Sequence, residues 1–190
     1  LKKEEVASEE TEKDKPAEVE EVSGAALEAT KGAMADDAAD VVLVSGGSSV
    51  GQEDHAPGLL AELGSLDFHG VSMRPSSPTG LGRIAERFVF LLPGNPVSCL
   101  CAYEFFAGPT IRALGGLSRD WPHRRLRVPL IRKIAWAVGR TDYVRGALEA
   151  GGARPIGTSG ASILSSTVRA DGFVIVKREW EGMPEGNEVE

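Results

Sequence analysis

Short apolar runs, each flanked by helical patterns, dominate the chain up to about residue 115. The runs VVLV at 41–44 and FVFLL at 88–92 are uninterrupted and rich in β-branched and aromatic residues, which is typical of strands covered on both faces. Helices are predicted at Ala25–Ala39, Ala56–Leu63 and Val97–Leu114 from the apolar spacing. This alternation predicts an α/β fold, a three-layer domain around a mostly parallel sheet.

Beyond Leu117 the pattern changes to short β-like stretches separated by glycine, proline and charged residues. Strands are predicted at Arg127–Ile131, Asp142–Ala147 and Phe173–Lys177, with one short helix at Ser162–Arg169. We therefore expect a separate, small, mostly β domain at the C-terminal end.

The beginning of the chain has neither pattern. Residues 1–22 are charged and nearly free of large apolar side chains, so they bury too little surface to offset chain entropy. A disordered segment or a frayed helix is expected there. The predicted organisation is an acidic low-complexity segment at 1–24, a partial α/β domain at 25–118 and a β-rich domain at 119–190.

Charge is distributed unevenly along the chain. The net charge is −7, yet residues 1–40 alone carry five Lys and thirteen Asp or Glu, so the remainder is close to neutral. A neutral body argues against a nucleic-acid partner. The apolar runs are far shorter than the ~20 residues that a membrane span needs, and no signal-peptide pattern is present. A cytoplasmic protein without a membrane partner is expected.

The two cysteines offer no metal site in the sequence. Cys99 and Cys101 lie two apart on a predicted helix and point in different directions, so a disulfide between them is not expected. With no CxxC motif and three scattered histidines, we interpret both cysteines as buried structural thiols.

Two glycine-bearing loops carry the candidate chemistry. SGGSSVG at Ser45–Gly51 and LPGNPVS at Leu92–Ser98 each follow an apolar strand and precede a helix. Such a turn lets backbone N–H groups converge, and the helix N-terminus adds partial positive charge, so each loop is an anion site or else a tight turn without a ligand. Two of them in one α/β unit favour a phosphorylated ligand at the carboxyl ends of neighbouring strands.

The side chains near these loops suggest individual roles. Glu53 and Asp54 follow the first loop, where a carboxylate either complements a helix or binds Mg²⁺ together with phosphate oxygens. Asn95 offers a donor and an acceptor on a turn that prolines stiffen. Arg74 precedes a Pro-rich turn and is either an oxyanion ligand or a surface arginine. The run Arg140–Arg145 is interpreted as a charged edge strand.

Three motifs together resemble the MoeA/gephyrin-type molybdopterin molybdotransferases. They are SGGSSVGQEDH, RPSSPTG and FLLPGNPVSCLCAYEFFAGPTIRALGG, in the order and spacing of that family, and the resemblance extends over residues 38–190. It implies molybdenum cofactor biosynthesis: molybdate is inserted into the dithiolene of adenylylated molybdopterin, with Mg²⁺-dependent release of AMP. The resemblance also implies that the full-length protein has additional N-terminal domains and is a homodimer. This chain is then expected to be its C-terminal portion.

Site residues are implied by matching these motifs. The catalytic candidates are Glu53 and Asp54, and Asp54 is also the metal ligand. The cofactor-binding candidates are Gly46, Gly47, Ser48, Ser49, Gly51, Arg74, Pro93, Gly94, Asn95, Pro96 and Ser98.

The chain departs from the family pattern at two turns. Many members have Lys-Pro-Gly-Lys-Pro where this chain reads Arg74-Pro75-Ser76-Ser77-Pro78, so Ser77 lacks a positive charge. The family's Gly-Ser turn is Gly160-Ala161-Ser162 here. Two alternatives stay open: a molybdopterin adenylyltransferase-like enzyme and a non-catalytic molybdopterin-binding or scaffold module.

Overall fold

The first part of the chain folds into helices that cover a four-stranded sheet. The structure, a computed structural model, describes residues 17–36, 38–46, 55–135, 138–157 and 164–190, and for residues 17–23 the backbone alone. The elements of this part are α1 (Ala17–Ala35), β1 (Val41–Ser45), α2 (Ala56–Leu63), β2 (Ser65–His69), β3 (Met73–Arg74), β4 (Gly80–Ile84), β5 (Arg87–Leu92), α3 (Pro96–Ala102), a π-helical turn (Tyr103–Ala107) and α4 (Gly108–Leu114).

The four strands are arranged in the order β1-β5-β4-β2. β1 and β5 pair in parallel, whereas β4 pairs antiparallel with both β5 and β2. The antiparallel direction follows from the chain's tight reversal, because Ile84 and Arg87 are already register partners. The predicted α/β class is confirmed, with one correction: in the described residues the sheet is mixed rather than mostly parallel.

The strand β5 is covered on both faces, as its uninterrupted apolar run predicts. Val89 and Leu91 are buried in one cluster with residues of α1 and α2. Phe90 and Leu92 point the opposite way and pack against α3 and the π-helical turn. Each such buried side chain contributes roughly 1.5–3 kcal/mol relative to exposure. The end of β5, where the second loop begins, is therefore held rigidly.

The helix α2 agrees with its predicted boundaries, whereas α1 differs at both ends. The helix α1 begins before the predicted Ala25, because the preceding Ala and Glu residues are strong helix formers. It also ends before the predicted Ala39, since the Ala38 backbone N–H donates to Asp36 Oδ1 (3.0 Å), a local turn that competes with the helix.

The predicted helix over Val97–Leu114 is helical throughout, but it is not a single α-helix. It divides into α3, the π-helical turn and α4. Pro109 explains the division, because it has no N–H to donate and its ring would clash with the carbonyl of Phe105 in a regular α-helix. The predicted end at Gly115 is confirmed.

The C-terminal part is mostly β, as predicted. Its elements are β6 (Val128–Pro129), β7 (Ile134–Ala135), β8 (Thr141–Glu149), β9 (Gly152–Gly157), α5 (Leu164–Val168), β10 (Gly172–Val176), β11 (Gly182–Met183) and β12 (Glu188–Val189). A separate cluster of buried side chains forms its core: Leu130, Ile134, Val144, Ala153, Val174, Val176, Met183 and Val189.

The strand β8 lies at the centre of this part. It pairs antiparallel with β10 and β9 and parallel with β3, which comes from the first part of the chain. The interpretation of Arg140–Arg145 as an edge strand is therefore wrong, because partners flank β8 on both sides.

In the described ranges, the helices include none that is long and apolar enough to cross a membrane.

Candidate functional site

The two predicted loops begin side by side at one end of the sheet. Ser45 and Leu92 are the last register partners of the parallel pair β1–β5. Just beyond them, the Gly46 backbone N–H donates to the Leu92 carbonyl at 3.1 Å. Because both strands end at the same edge, the loops that follow leave the sheet together.

The two loops lie close together at Gly46 and Gly94. Gly46 has a φ of +90°, a backbone conformation that disfavours other residues. Gly94 lies so near that a Cβ there would be 3.4 Å from Gly46 Cα. The first glycine is thus favoured by its dihedral angle, whereas a Cβ at the second would be in van der Waals contact with the neighbouring loop.

The remainder of the first loop lies outside the described residues. This applies to six of the predicted site residues: Gly47, Ser48, Ser49, Gly51, Glu53 and Asp54. It also applies to the turn Gly160-Ala161-Ser162. The roles given to these residues stay predictions.

The second loop presents its central residues to solvent. Pro93 is buried beneath the loop, while Gly94, Asn95 and Pro96 are exposed. Asn95 precedes α3, and its side chain makes no capping hydrogen bond; instead its backbone carbonyl accepts from the Cys99 N–H at 2.9 Å. An exposed amide that does not cap its helix is suited to bind a polar ligand group.

Ser98 lies beneath the loop rather than on its surface. It is buried within α3, and its carbonyl accepts a hydrogen bond of 2.6 Å from Ser76 Oγ. One helical position further on, Cys99 Sγ lies 3.6 Å from Ser45 Oγ at the end of β1. These contacts attach α3 to the first loop on one side and to the Pro-rich turn on the other.

The Pro-rich turn is anchored at both ends. The buried Ser76 has a φ of +93°, and its carbonyl accepts from Thr79 Oγ1 at 2.7 Å. At the start of the turn, Arg74 Nε donates to Asp142 Oδ1 of β8 at 3.2 Å. Burial lowers the pKa of Arg74, and the nearby Arg140 lowers it further. Arg74 is therefore a half-buried, paired residue rather than a freely exposed one.

Three functional candidates on or beside β8 were missed by the sequence patterns. Asp142 is fully buried and Arg145 is 3% exposed, and Arg140 Nε lies 3.7 Å from Asp142 Oδ1. Burial raises the pKa of Asp142, although Arg74 and Arg140 oppose this, and burial lowers the pKa of Arg145. Arg74 and Arg140 lie against the one Asp142 carboxylate, so the junction has a positive excess that suits an anionic ligand.

A sequence signal for these residues did exist. Asp142 and Val144 share one face of β8, so the strand's alternation assigns a carboxylate to the same face as a core valine. A charged residue among core positions is unusual and marks a candidate functional residue.

Family models match both parts of the chain. The model described as "Probable molybdopterin binding domain" matches residues 5–113, and the MoeA C-terminal region (domain IV) matches residues 127–190. The first match begins well before residue 38, the start of the resemblance noted in the sequence.

Curated relatives agree with these matches. A molybdopterin molybdenumtransferase of Haemophilus influenzae is 30% identical over 159 residues, which is 80% of this chain and 39% of that protein. Molybdopterin molybdenumtransferase 1 of Mycobacterium tuberculosis is 35% identical over 113 residues, covering 58% of this chain and 26% of that protein. The chain thus spans under two fifths of the length of these relatives.

A solved structure has the same fold. The crystal structure of a molybdopterin biosynthesis MoeA protein from Pyrococcus horikoshii superposes with a TM-score of 0.65 at 31% sequence identity. The superposition covers 88% of this chain and 39% of that one.

Proposed function

This chain belongs to the molybdopterin-binding domain family and carries a MoeA C-terminal region, and from that premise we propose that its two loops bind molybdopterin for molybdate insertion. The proposed reaction inserts molybdate into the dithiolene of adenylylated molybdopterin and releases AMP. Because the chain spans only part of its relatives, this activity is proposed for the full-length protein.

The observation that carries the proposal is the meeting of the two loops at the ends of β1 and β5. The Gly46 N–H bonds to the Leu92 carbonyl, and Gly94 closely approaches Gly46. Two glycine-bearing loops that leave the sheet together suit a phosphate, and an exposed amide at Asn95 suits the edge of a pterin ring. The names of the relatives, which include molybdopterin molybdenumtransferases, support the same ligand.

Individual roles follow from loop position. We assign the phosphate and the adjoining side of the pterin to the first loop, and the pterin pocket to the second. Arg74 is assigned as a ligand for an oxyanion at the junction of β3 and β8. The first-loop residues in this assignment are Gly46, Gly47, Ser48, Ser49 and Gly51, and those of the second are Pro93, Gly94, Asn95, Pro96 and the buried Ser98. Positioning of the two substrates, rather than covalent chemistry by the protein, is the main contribution.

Magnesium is a further part of the proposal. Within the described ranges, no three or more His, Cys, Asp or Glu side chains are grouped as a metal site. Glu53 and Asp54 lie outside those ranges, and they immediately precede His55 at the start of α2. One or two carboxylates beside a phosphate are the donors that Mg²⁺ prefers, so the residue types fit. We assign Asp54 as the ligand and Glu53 as its neighbour; the bound ion would neutralise phosphate charge.

We further propose that the full-length protein is a homodimer, as the resemblance to the MoeA/gephyrin-type enzymes implies. Molybdopterin, its adenylylated form and molybdate are its small-molecule substrates.

The experiment uses the full-length protein with adenylylated molybdopterin, molybdate and Mg²⁺, and measures AMP release by chromatography. We expect release by the wild type and a loss on the order of 10–100-fold in Asn95→Ala and Asp54→Ala. The matched controls are Asn187→Ala and Asp171→Ala, which lie in the C-terminal part and should retain activity.

Two results would contradict the proposal. Pyrophosphate production from ATP and molybdopterin, without AMP release, would identify an adenylyltransferase. Tight binding of adenylylated molybdopterin without any turnover would identify a binding or scaffold module.

A further inference from the structure

Asp142 lies where the two parts of the chain pair. In the parallel pair β3–β8, Arg74 and Asp142 are register partners, and the Thr141 N–H donates to the Ser72 carbonyl at 2.9 Å beside them. An ion pair at this position acts across the junction and not within either part.

Two arginines converge on one oxygen of this carboxylate. Arg74 Nε is 3.2 Å and Arg140 Nε is 3.7 Å from Asp142 Oδ1. The Asp142 side chain is 1% exposed, whereas each arginine side chain is 39% exposed. The carboxylate is thus buried beneath two arginine side chains that are each partly exposed.

Stability alone does not account for Asp142. Its second oxygen, Oδ2, is buried and has no hydrogen-bond partner in the part of the chain that the structure describes. Burying a carboxylate with an unsatisfied oxygen costs free energy, and a buried ion pair often contributes no more than an apolar replacement. What the carboxylate does provide is direction, because an acceptor at Nε fixes the plane of a guanidinium group.

The fixed arginine connects to the second loop through the Pro-rich turn. Arg74 opens this turn, and Ser76 within it donates to the Ser98 carbonyl in α3, the helix that follows the loop. A change in the orientation of Arg74 would therefore alter a cationic ligand. It would also alter the contacts that hold α3 and the second loop in place.

We propose that Asp142 is a positioning residue, which orients Arg74 so that its guanidinium group binds an oxyanion of the substrate. The inference rests on the proposed function, because it takes Arg74 as an oxyanion ligand. Asp142 itself contacts the arginines and not the substrate.

The test measures binding of orthomolybdate to this chain by titration calorimetry and, in parallel, the melting temperature. Asp142→Asn keeps the size and an acceptor oxygen but removes the charge. We expect its dissociation constant for molybdate to rise on the order of tenfold, as for other residues that support an ion's ligands. We expect its melting temperature to change little, since the cost of desolvating the buried carboxylate is lost together with its ion pairs.

A double-mutant cycle with Arg74→Ala separates positioning from a general structural effect. If Asp142 acts through Arg74, the double variant binds molybdate no more weakly than Arg74→Ala alone. A double variant that binds molybdate more weakly than Arg74→Ala alone would overturn the proposal. Unchanged affinity in Asp142→Asn, or no measurable binding by the wild type, would also overturn it. Asp67→Asn is the matched control, because Asp67 pairs with Arg83 at 3.5 Å on β2 and should leave affinity unchanged.

A second variant applies if Asp142→Asn does not fold. Asp142→Glu keeps the negative charge but moves the acceptor oxygen by one methylene, so Arg74 is oriented differently and a similar loss is expected; wild-type affinity in this variant would overturn the proposal. The outcomes also separate the two hypotheses. If Arg74→Ala binds molybdate like the wild type, the oxyanion role in the proposed function fails; if Arg74→Ala is weakened and Asp142→Asn is not, only this inference fails.

Discussion

The two cysteines of α3 differ in environment although they are two residues apart. Cys99 is half-buried beside Ser45, while Cys101 is 1% exposed. Neither forms a disulfide, as predicted, but the expectation that both are buried holds fully for Cys101 alone. Burial raises the pKa of Cys101 to about 11, although a hydrogen bond with Ser76 and the charge of Arg145 act in the opposite direction.

This shift predicts a loss of stability at alkaline pH. In the unfolded chain a cysteine ionises near pH 8.5, whereas folding keeps the Cys101 thiol protonated, so the folded state binds more protons above that pH. The contribution of the protonated Cys101 thiol to the free energy of unfolding is complete below about pH 8.5. It declines as the pH rises toward 11. Between pH 8.5 and 10.5 the wild type should lose roughly 2 kcal/mol more unfolding free energy than Cys101→Ala.

Urea denaturation across this pH range measures the effect. Cys99→Ala serves as the control and should keep the wild-type pH dependence, since Cys99 is not buried in the same way. An identical pH dependence for Cys101→Ala and the wild type would contradict the assigned environment of the thiol.

Some site residues could be predicted individually, and others could not. Gly46 and Gly94 were recognised because a glycine-bearing turn after a strand is a local pattern, and the structure accounts for both. Asp142 and Arg145 were interpreted as part of an edge strand, because their burial depends on partners that come from distant parts of the chain. Local sequence does not specify such pairing.

Among the elements, those that follow from a strong local pattern were predicted with accurate bounds. β1 contains the apolar run at 41–44 and one further residue, Ser45, and α2 has the bounds that the Pro-to-Gly helix pattern predicts. β9 was missed because its sequence contains Pro155 and two glycines, which disfavour strands, while pairing with β8 overrides that preference. The mixed direction of the sheet was missed for a related reason, since an apolar run does not reveal its partners.

The helix α1 provides a test at the element scale. Its face with Leu27 and Met34 packs toward α2 and β5, and Met34 is fully buried in their shared cluster. Met34→Ala should reduce the free energy of unfolding by about 2–4 kcal/mol, because it leaves a cavity in this cluster. Urea denaturation followed by far-UV circular dichroism is the measurement.

Glu28→Ala is the control for this prediction, because Glu28 is exposed on the same helix and should change stability by no more than about 0.5 kcal/mol. A change equally small in Met34→Ala would mean that α1 does not pack on the sheet as described.

At the scale of the whole molecule, the two parts are joined by more than the β3–β8 pair. The Phe105 ring of the π-helical turn lies edge-on to Trp121 with centroids 4.9 Å apart, and Trp121 in turn contacts Phe173 of β10 at 5.4 Å. The Trp121 indole N–H donates to the Glu104 carbonyl at 2.9 Å. The linker between the parts is thus packed against both, which fixes Arg74 and β8 relative to the loops.

This joint arrangement explains why local patterns point to the two loops and not to the cluster around Asp142. The loops at the ends of β1 and β5 belong to one part and carry their own signatures. The cluster around Asp142 exists only once β3 and β8 pair, so its chemistry is a property of the assembled molecule.

The central claim is that the two adjoining loops form one molybdopterin site, and the most direct test is equilibrium binding of molybdopterin to this chain. We compare the wild type with Gly94→Val, whose side chain would enter the 3.4 Å approach to Gly46 and separate the loops. Gly58→Val in α2 is the control, since a Cβ there meets no atom within 4 Å among the described residues. The account predicts saturable binding by the wild type and the control, and a loss on the order of tenfold or more in Gly94→Val; no binding by the wild type, or equal binding by all three, would contradict it.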